Sequence, residues 1–289
     1  AKTQHNEVSP AQYELAPIFA TVNIATDWNQ LTMETMQNIA LQHGFVCLLH
    51  EKPFRGVNGS GKHNNWSMVT DDGINLLEPG NTPHSNAVFL MFLCAIIRGV
   101  DTYAKLLRAS VASAGNDHRL GANEAPPAII SIFLGDQLTD IFQQLNDGGA
   151  KTSKAGGEIK LASMLPPLPK DTTDRNRTSP FAFTGNKFEF RMPGSSLSTS
   201  GPNFVLNTII AEILREFADE IEAAKDVQTA TQKIFKRIAR EHSRIIFNGD
   251  NYTEEWAKEA ERRGLPNINN TVESLLTILE KDNNDLFKK

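Results

Sequence analysis

The segment GVNGSGKHNNWSM, residues 56–68, constrains the fold of this chain more than any other stretch, because its glycines let the backbone come close to a ligand. It is one residue short of the nucleotide-binding pattern G-x-x-x-x-G-K-[ST], since His63 stands where Ser or Thr is required. That pattern needs a strand before the loop and a helix after it. The preceding run FVCLLH, residues 45–50, predicts a buried strand, but the following HNNWSMVTDDG is a poor helix start. Three alternatives stay open: a nucleotide-binding P-loop, a metal site that includes His63, and a purely structural histidine.

The composition is that of a globular protein, with 289 residues of which 40% are hydrophobic and 22% charged. A net charge of −5 argues against a nucleic-acid partner, which requires a basic surface. The longest apolar run, residues 87–97, is too short to span a bilayer, and no signal peptide is visible. We therefore expect a cytoplasmic protein without a membrane partner. Cys47 and Cys94 lie in apolar runs and are expected to be buried, reduced thiols.

Helical and strand-like segments follow one another without a linker or an internal repeat. Apolar spacing predicts helices over residues 28–43, 84–112, 203–225, 227–247 and 253–264. Gly44 is the predicted C-cap of the first helix, Asp226 marks the break between the third and the fourth, and Thr253 is the predicted N-cap of the last. β-branched or alternating residues predict strands over residues 127–135 and 187–192. Residues 154–174, rich in Gly, Pro and Thr, predict a long surface loop.

HNEVSPAQYE, residues 5–14, is the first of three segments with candidate functional side chains. Pro10 excludes one continuous helix, and a turn would bring Glu14 back beside Glu7. Two carboxylates brought together in this way suit a hard divalent cation. Two solvated acids at the surface are the alternative.

RNRTSPFAFTGNKFEFRM, residues 175–192, is the second such segment. Strand alternation places Lys187, Glu189 and Arg191 on one face and the two intervening phenylalanines on the other. Two cations that flank an acid are typical of a phosphate or carboxylate clamp with an embedded metal ligand. The alternative is a ladder of cross-strand salt bridges.

NDHRLGANEAPP, residues 116–127, is the third segment and has the composition of a loop. A mobile loop with Arg119 and Glu124 could close over an anionic substrate. A plain surface loop is the alternative.

Together these stretches resemble the catalytic domain of the glutamine synthetase family, in the family's order and over essentially the whole chain. The resemblance is carried by HNEVSPAQYE, KPFRGVNGSGKHNNWS, RLGANEAP and RNRTSPFAFTGNKFEFR, and the tail GDNYTEEWAKEAERRGLPN resembles the type III branch. It implies an α+β fold with a curved, mostly antiparallel sheet and surrounding helices. Residues 1–248 would be the catalytic domain, and residues 249–289 the start of a type III-specific helical extension.

The resemblance also implies a reaction. ATP would phosphorylate the side-chain carboxylate of glutamate, and ammonia would displace the phosphate to give glutamine. Two divalent ions, Mg²⁺ or Mn²⁺, would offset the charge of the phosphates and the carboxylate. By resemblance, Glu7 and Glu14 are ligands of one ion, and His63 and Glu189 are ligands of the other.

Residues for the amino acid substrate are matched in the same way. Asn58 and Gly59 correspond to contacts with glutamate, and Arg119 and Arg191 correspond to clamps on its carboxylate. Glu124 corresponds to the acid that would help to take a proton from bound ammonium and shield the acyl phosphate from water.

Residues for the nucleotide follow a weaker match. Arg177 corresponds to the group that stabilises the transferring phosphoryl, Lys187 to a phosphate contact, and Asn65 and Ser67 to the nucleotide side. Asn65 replaces a family histidine, Lys187 replaces an arginine without keeping its bidentate fork, and Ala182 stands where another arginine is expected.

The resemblance leaves several matters open. The family's metal site also needs an E-x-E strand upstream of Ala1, and both ends of the chain look cut, so we expect little or no synthetase activity from this fragment alone. A ligase that joins glutamate to a larger amine and an inactive regulatory paralogue are the alternatives. The family also implies a homo-oligomer, which in type III is two stacked hexameric rings.

Overall fold

The structure, a computed structural model, describes residues 3–123, 125–146, 158–159, 168–169 and 178–288. Within these ranges the protein is α+β, with many helices and one open four-stranded sheet, which confirms the fold class predicted from the resemblance. None of the described helices combines the length and the apolar character needed to cross a bilayer.

The described ranges contain ten α-helices and eight β-strands. The helices are α1 (Val22–Gln42), α2 (Ala87–Thr102), α3 (Ala104–Ala109), α4 (Ala114–Arg119), α5 (Gly135–Asn146), α6 (Ser200–Glu222), α7 (Val227–His242), α8 (Glu254–Arg262), α9 (Thr271–Leu276) and α10 (Lys281–Leu286). The strands are β1 (Thr3–Asn6), β2 (Tyr13–Ala16), β3 (Asn64–Trp66), β4 (Ile132–Phe133), β5 (Glu158–Ile159), β6 (Leu168–Pro169), β7 (Phe181–Phe183) and β8 (Phe188–Phe190).

The four-stranded sheet has the order β3-β8-β7-β4. The pairs β3–β8 and β7–β8 are antiparallel, and β4–β7 is parallel, so the described sheet is mostly antiparallel. Phe188 and Phe190 of β8 are fully buried while Glu189 between them is only half-buried, as the alternation predicted. This register places Glu189 opposite Asn65 of β3.

The helices bury their apolar faces in the same core. Helix α2 packs against α6 and α7, and α5 packs against α7. The predicted break between two helices is confirmed, because the side chain of Asp226 accepts hydrogen bonds from the first amides of α7. Thr253 caps α8 in the same way, through the amide of Trp256.

The single helix predicted over residues 84–112 is wrong. Helix α2 ends at Thr102 and α3 begins at Ala104, with Tyr103 outside helical geometry at φ −110°. The end of α2 is fixed by the buried carboxylate of Asp101, which lies 2.7 Å from Nδ1 of His242.

The strand predicted at FVCLLH is also wrong. Residues 45–50 have no regular structure, and Phe45 and Val46 are 70% and 74% exposed. An apolar run becomes a strand only where a neighbouring strand supplies hydrogen-bond partners, and none of the described strands pairs with this run. Cys47 is therefore partly exposed, contrary to the prediction. Cys94 is buried as expected, and burial raises the pKa of its thiol.

The C-terminal helices are tied to α3 and α4. Nε of Arg108 donates to the carbonyl of Ile268 at 2.9 Å, and Asp117 accepts from the amide of Thr271 at 2.6 Å. The predicted domain boundary after residue 248 stays a prediction. The loop predicted over residues 154–174 lies outside the described residues, except for the pairing of β5 with β6.

Candidate active site

The glycine-rich segment leads into a strand and not into a helix. His63 is followed directly by β3, so the helix that a P-loop requires is missing. The ammonium group of Lys62 donates to the carbonyl of Leu197 and lies 3.0 Å from the sulfur of Met33. Both features rule out the P-loop alternative.

Strand β3 is anchored through its buried residues. Nδ2 of Asn64 donates to Asn203 at 2.9 Å, and Nε1 of Trp66 donates to Asn207 at 2.9 Å, both on α6. Asn65 between them is exposed and faces away from this anchor, because successive strand residues alternate. The strand therefore holds the end of the glycine-rich loop at a fixed place beside β8.

A line of charged side chains runs from the loop into the sheet. Nδ1 of His63 lies 3.5 Å from Oε1 of Glu189, and Oε2 of Glu189 accepts from Nε of Arg191 at 2.8 Å. Nη1 of Arg191 donates to the hydroxyl of Thr178 at 2.7 Å. The structure thus brings together three of the predicted site residues, and Glu189 and Arg191 keep the shared face predicted from the alternation.

The electrostatics favour an ionised Glu189. Burial alone would raise the pKa of this carboxyl, but the hydrogen bond and charge of His63, together with Arg191, outweigh burial and lower the pKa to about 2. Glu189 is therefore an ionised carboxylate, with one oxygen held by Arg191 and the other beside His63.

Arg119 lies deeper than the sequence predicted. It is the last residue of α4 and not part of a mobile loop, and only 6% of it is exposed. Nη1 donates to the carbonyls of Met192 and Pro193 at 3.1 and 3.3 Å, and Nη2 donates to the carbonyl of Arg191 at 3.1 Å. Arg119 therefore fixes the backbone that follows β8.

The glycines of the loop lie against this guanidinium. A Cβ on Gly61 would come within 2.1 Å of Nη2 of Arg119, and a Cβ on Gly59 would come within 2.4 Å of the carbonyl oxygen of Glu51. Burial lowers the pKa of Arg119 to about 10, although the charges of Tyr252 and Glu51 oppose the shift. Glycine is needed here because the loop packs directly on a buried charged group.

The first candidate segment forms a hairpin that rests on the same loop. The chain turns back after β1 as predicted, and the register of β1 and β2 places Glu14 opposite His5, two residues before Glu7. The hydroxyl of Ser9 donates to the carbonyl of Asn58 at 2.8 Å, and Nε2 of Gln12 donates to the carbonyl of Gly59 at 3.1 Å. The turn between Glu7 and Glu14 is thereby held against the loop that leads to His63.

The described residues do not assemble a full metal shell. No group of three or more His, Cys, Asp or Glu side chains in the described ranges could hold a metal ion. His63 and Glu189 nevertheless suit two positions of a divalent-cation site, since an imidazole nitrogen and a carboxylate oxygen lie side by side. Glu7 and Glu14 are exposed on the hairpin.

Two of the residues predicted for the nucleotide, Ser67 and Lys187, lie at the other end of β3 and β8, whereas Asn65 lies within β3 opposite Glu189. Oγ of Ser67 lies 2.8 Å from Oδ1 of Asn75 and 3.1 Å from the carbonyl oxygen of Asn186. Lys187 follows Asn186 in the turn between β7 and β8, and Asn65 is exposed. Arg177 and Glu124 lie outside the described residues, so their predicted roles stay predictions.

Sequence reasoning missed Glu51, which is 2% exposed and lies beneath the glycine-rich loop. Its carbonyl accepts from the amide of Ser60 at 2.7 Å, and Oε1 accepts from the amide of Ser196 at 2.9 Å. The signal for it was a single acid at the end of the apolar run FVCLLHE, which looks like an ordinary surface residue.

Comparison with known proteins identifies the class. The family model described as "Glutamine synthetase, catalytic domain" matches residues 1–131, and the model described as "Glutamine synthetase C-terminal domain" matches residues 230–289. The chain belongs to the glutamine synthetase family, which confirms the resemblance.

Similarity to individual relatives covers the whole chain. The chain is 55% identical over its full length to a Dictyostelium discoideum protein named Type-3 glutamine synthetase, of which it covers 40%. It is 49% identical over its full length to a glutamine synthetase of Butyrivibrio fibrisolvens, of which it covers 41%. It is 50% identical over 95% of its length to a glutamine synthetase of Bacteroides fragilis, of which it covers 39%. The chain thus spans about two fifths of these relatives.

Proposed function

We propose that the protein ligates ammonia to the side-chain carboxylate of L-glutamate, with ATP as the second substrate, to form L-glutamine. Membership of the glutamine synthetase family supports this proposal. At the level of the site, the line His63–Glu189–Arg191 beside the glycine-rich loop supports it, because an imidazole and a carboxylate, which are suitable ligands for a divalent cation, lie next to a buried arginine.

The proposed reaction has two steps. An oxygen of the glutamate side chain attacks the terminal phosphorus of ATP, and the bond to ADP breaks, so that an acyl phosphate forms. Ammonia then attacks the acyl carbon, phosphate leaves with the electron pair of the broken bond, and one proton is lost from nitrogen. We assign help with that proton to Glu124 and stabilisation of the phosphoryl group to Arg177.

The glutamate would lie against the glycine-rich loop. In this proposal Asn58 and Gly59 contact the amino acid, and Arg191 binds one of its carboxylates. Arg119 can share that role only if its guanidinium releases one of the backbone carbonyls that it holds, because both of its terminal nitrogens already donate to the backbone.

Two divalent ions, Mg²⁺ or Mn²⁺, would supply the positive charge that the phosphates and the attacking carboxylate need. In this proposal His63 and Glu189 hold one ion, and Glu7 and Glu14 hold the other. Ser67 and Lys187, at the far end of β3 and β8, would contact the nucleotide together with Asn65 within β3.

We also propose that the 289-residue polypeptide alone has little or no synthetase activity. Within the described ranges, His63 and Glu189 lie side by side, but no group of three or more His, Cys, Asp or Glu side chains could hold an ion. The measurement is glutamine formation by this polypeptide beside the full-length protein. Similar turnover of the two would contradict the proposal.

The proposed assembly is a homo-oligomer of hexameric rings, as the family resemblance implied. Its mass in solution, measured by light scattering on the full-length protein, tests this directly. A monomer at micromolar concentration would contradict it.

The main experiment measures glutamine formation by the full-length protein from glutamate, ATP and ammonia. We expect His63→Ala to reduce kcat/KM by about 10³-fold, because a metal ligand is lost beside the transferring phosphoryl group. Lys62→Met, at the neighbouring position, is the matched variant and should cost less than about tenfold, since its ammonium group contacts Leu197 and Met33. Equal losses in the two variants would contradict the assignment of His63.

The acceptor amine is tested in the same assay. Ammonia is replaced by methylamine or by a polyamine, and kcat/KM is compared among the three. If kcat/KM is clearly higher for an amine larger than ammonia, the proposed activity becomes glutamate–amine ligation instead of glutamine synthesis. No turnover with any amine, by a protein that still binds ATP, would instead favour the inactive paralogue.

A further inference from the structure

A buried carboxylate lies where three segments of the site meet. Glu51 is 2% exposed, and it contacts the chain through both its backbone and its side chain. Its carbonyl oxygen accepts from the amide of Ser60 in the glycine-rich loop at 2.7 Å. Oε1 accepts from the amide of Ser196 at 2.9 Å and also from the Ser196 hydroxyl. One residue therefore joins the loop to the chain that follows β8.

Glycines lie so close to Glu51 that a Cβ at any of three positions would force neighbouring atoms to shift. A Cβ on Gly194 would come within 2.4 Å of Oε1 of Glu51, and a Cβ on Gly115, in α4, would come within 2.3 Å of Oε2. A Cβ on Gly59 would come within 2.4 Å of its carbonyl oxygen. The loop, helix α4 and the segment after β8 all pack on Glu51 through glycine.

Glu51 also lies near the buried Arg119, because a Cβ on Gly59 would come within 2.4 Å of the carbonyl oxygen of Glu51 and within 3.2 Å of Cγ of Arg119. Burial lowers the pKa of Arg119, and the negative charge of Glu51 opposes this shift. A buried carboxylate is costly unless it is hydrogen-bonded, and Oε1 of Glu51 accepts from the amide and the hydroxyl of Ser196. None of the predicted substrate or metal roles involves Glu51.

We propose that Glu51 is a positioning residue that holds the glycine-rich loop, residues 56–62, in the shape that receives glutamate. The inference rests on the proposed function, because it takes Asn58 and Gly59 as the contacts with the amino acid. Glu51 acts from beneath the loop and does not touch the substrate. The hairpin holds the opposite side of the loop through Ser9 and Gln12.

The test compares Glu51→Ala and Glu51→Gln with the wild-type, full-length protein. We expect Glu51→Ala to raise the KM for glutamate by about tenfold or more, while the KM for ATP changes less than about twofold. Glu51→Gln should lie between Glu51→Ala and wild type, because an amide oxygen still accepts from Ser196 although the charge is lost. Glu212→Gln is the matched control, since Glu212 is a buried acid that pairs with Arg215 on α6.

The inference is overturned if Glu51→Ala binds glutamate like wild type, or if both KM values rise together. A fall only in the fraction of active protein would also overturn it, because this is the result of a merely structural role. If Glu51→Ala fails to fold, the KM values for glutamate and ATP are compared in Glu51→Gln and Ser196→Ala instead.

Amide hydrogen exchange separates this inference from the proposed function. If wild type makes no glutamine, the proposed function fails, but the exchange of the amides of Ser60 and Ser196 still tests Glu51. We expect exchange at both positions to be at least about tenfold faster in Glu51→Gln than in Glu212→Gln, because the loop and the Ser196 segment lose a charged anchor. Equal exchange in the two variants would overturn the inference.

Discussion

The glycine-rich loop is held very differently from its two sides. On the inner side, Glu51, Arg119 and Arg191 are buried and donate or accept hydrogen bonds at distances near 3 Å. On the outer side, the β1–β2 hairpin contacts the loop through the side chains of Ser9 and Gln12, while its two glutamates are exposed. The inner side is therefore preorganised by buried groups of the chain itself, whereas the contacts named on the outer side are neutral hydrogen bonds.

This difference predicts which single substitutions should reduce stability most. A buried charged group that loses its partner keeps its desolvation cost, so the inner side should respond strongly to change. Loss of a neutral hydrogen bond costs less than loss of the partner of a buried charge, so the outer side should respond less strongly.

The largest effect is expected at Arg191. We expect Arg191→Ala to lower the free energy of unfolding of the full-length protein by about 3 kcal/mol, because Glu189 and Thr178 lose their buried partner. Glutamine formation should be lost as well. The measurement is denaturant unfolding beside the activity assay.

Arg240→Ala is the control for this prediction. Arg240 also pairs with an acid, Glu241, but both side chains are exposed on α7, so its loss should lower the free energy of unfolding much less than Arg191→Ala. Equal stability of the two arginine variants would contradict the claim that buried, paired charges hold the inner side of the loop.

A smaller effect is expected at Gly61. A methyl group there would meet the guanidinium of Arg119, so Gly61→Ala must displace this group from the carbonyls of Met192 and Pro193. We expect a loss of about 1–3 kcal/mol in the free energy of unfolding, as in other overpacked sites. Thermal unfolding measures the loss. Ser60→Ala, one residue away, is the control and should change the melting temperature little; an equally large shift there would contradict the packing role of Gly61.

The smallest effect is expected at Ser9 on the outer side. Ser9→Ala removes one neutral hydrogen bond to the carbonyl of Asn58, which is worth about 1 kcal/mol. The expected result is faster amide exchange in the hairpin, with a loss of at most about 1 kcal/mol in the free energy of global unfolding. Val8→Ala alters an exposed residue of the same turn and should leave exchange unchanged. If Ser9→Ala lowered global stability as much as Arg191→Ala, the two sides of the loop would be held equally strongly.

Local patterns gave the elements that depend on near neighbours in the chain. Pro10 predicted the turn of the β1–β2 hairpin, and the alternation of KFEFR predicted the buried and polar faces of β8. Asp226 and Thr253 marked helix starts because their side chains cap amides two or three residues away. Each of these features is settled within a few residues.

Features that depend on distant partners were missed or misplaced. The run FVCLLH has the composition of a strand, but pairing decides whether a strand forms. Glu51 looks like a surface acid until Ser196, which is 145 residues away, is brought to it. Arg119 was expected on a mobile loop, and its burial depends on carbonyls more than 70 residues away. The sequence therefore predicted local elements better than it predicted the distant contacts that hold the glycine-rich loop.

The anchoring of β3 restricts how the length of this part of the chain can change. Asn64 and Trp66 are both fixed to α6, while Asn65 lies opposite Glu189. Inserting or deleting one residue inside the strand would exchange its two faces, so that Asn65 would replace a residue bonded to α6. Length variation here is compatible with the same active site only in steps of two residues.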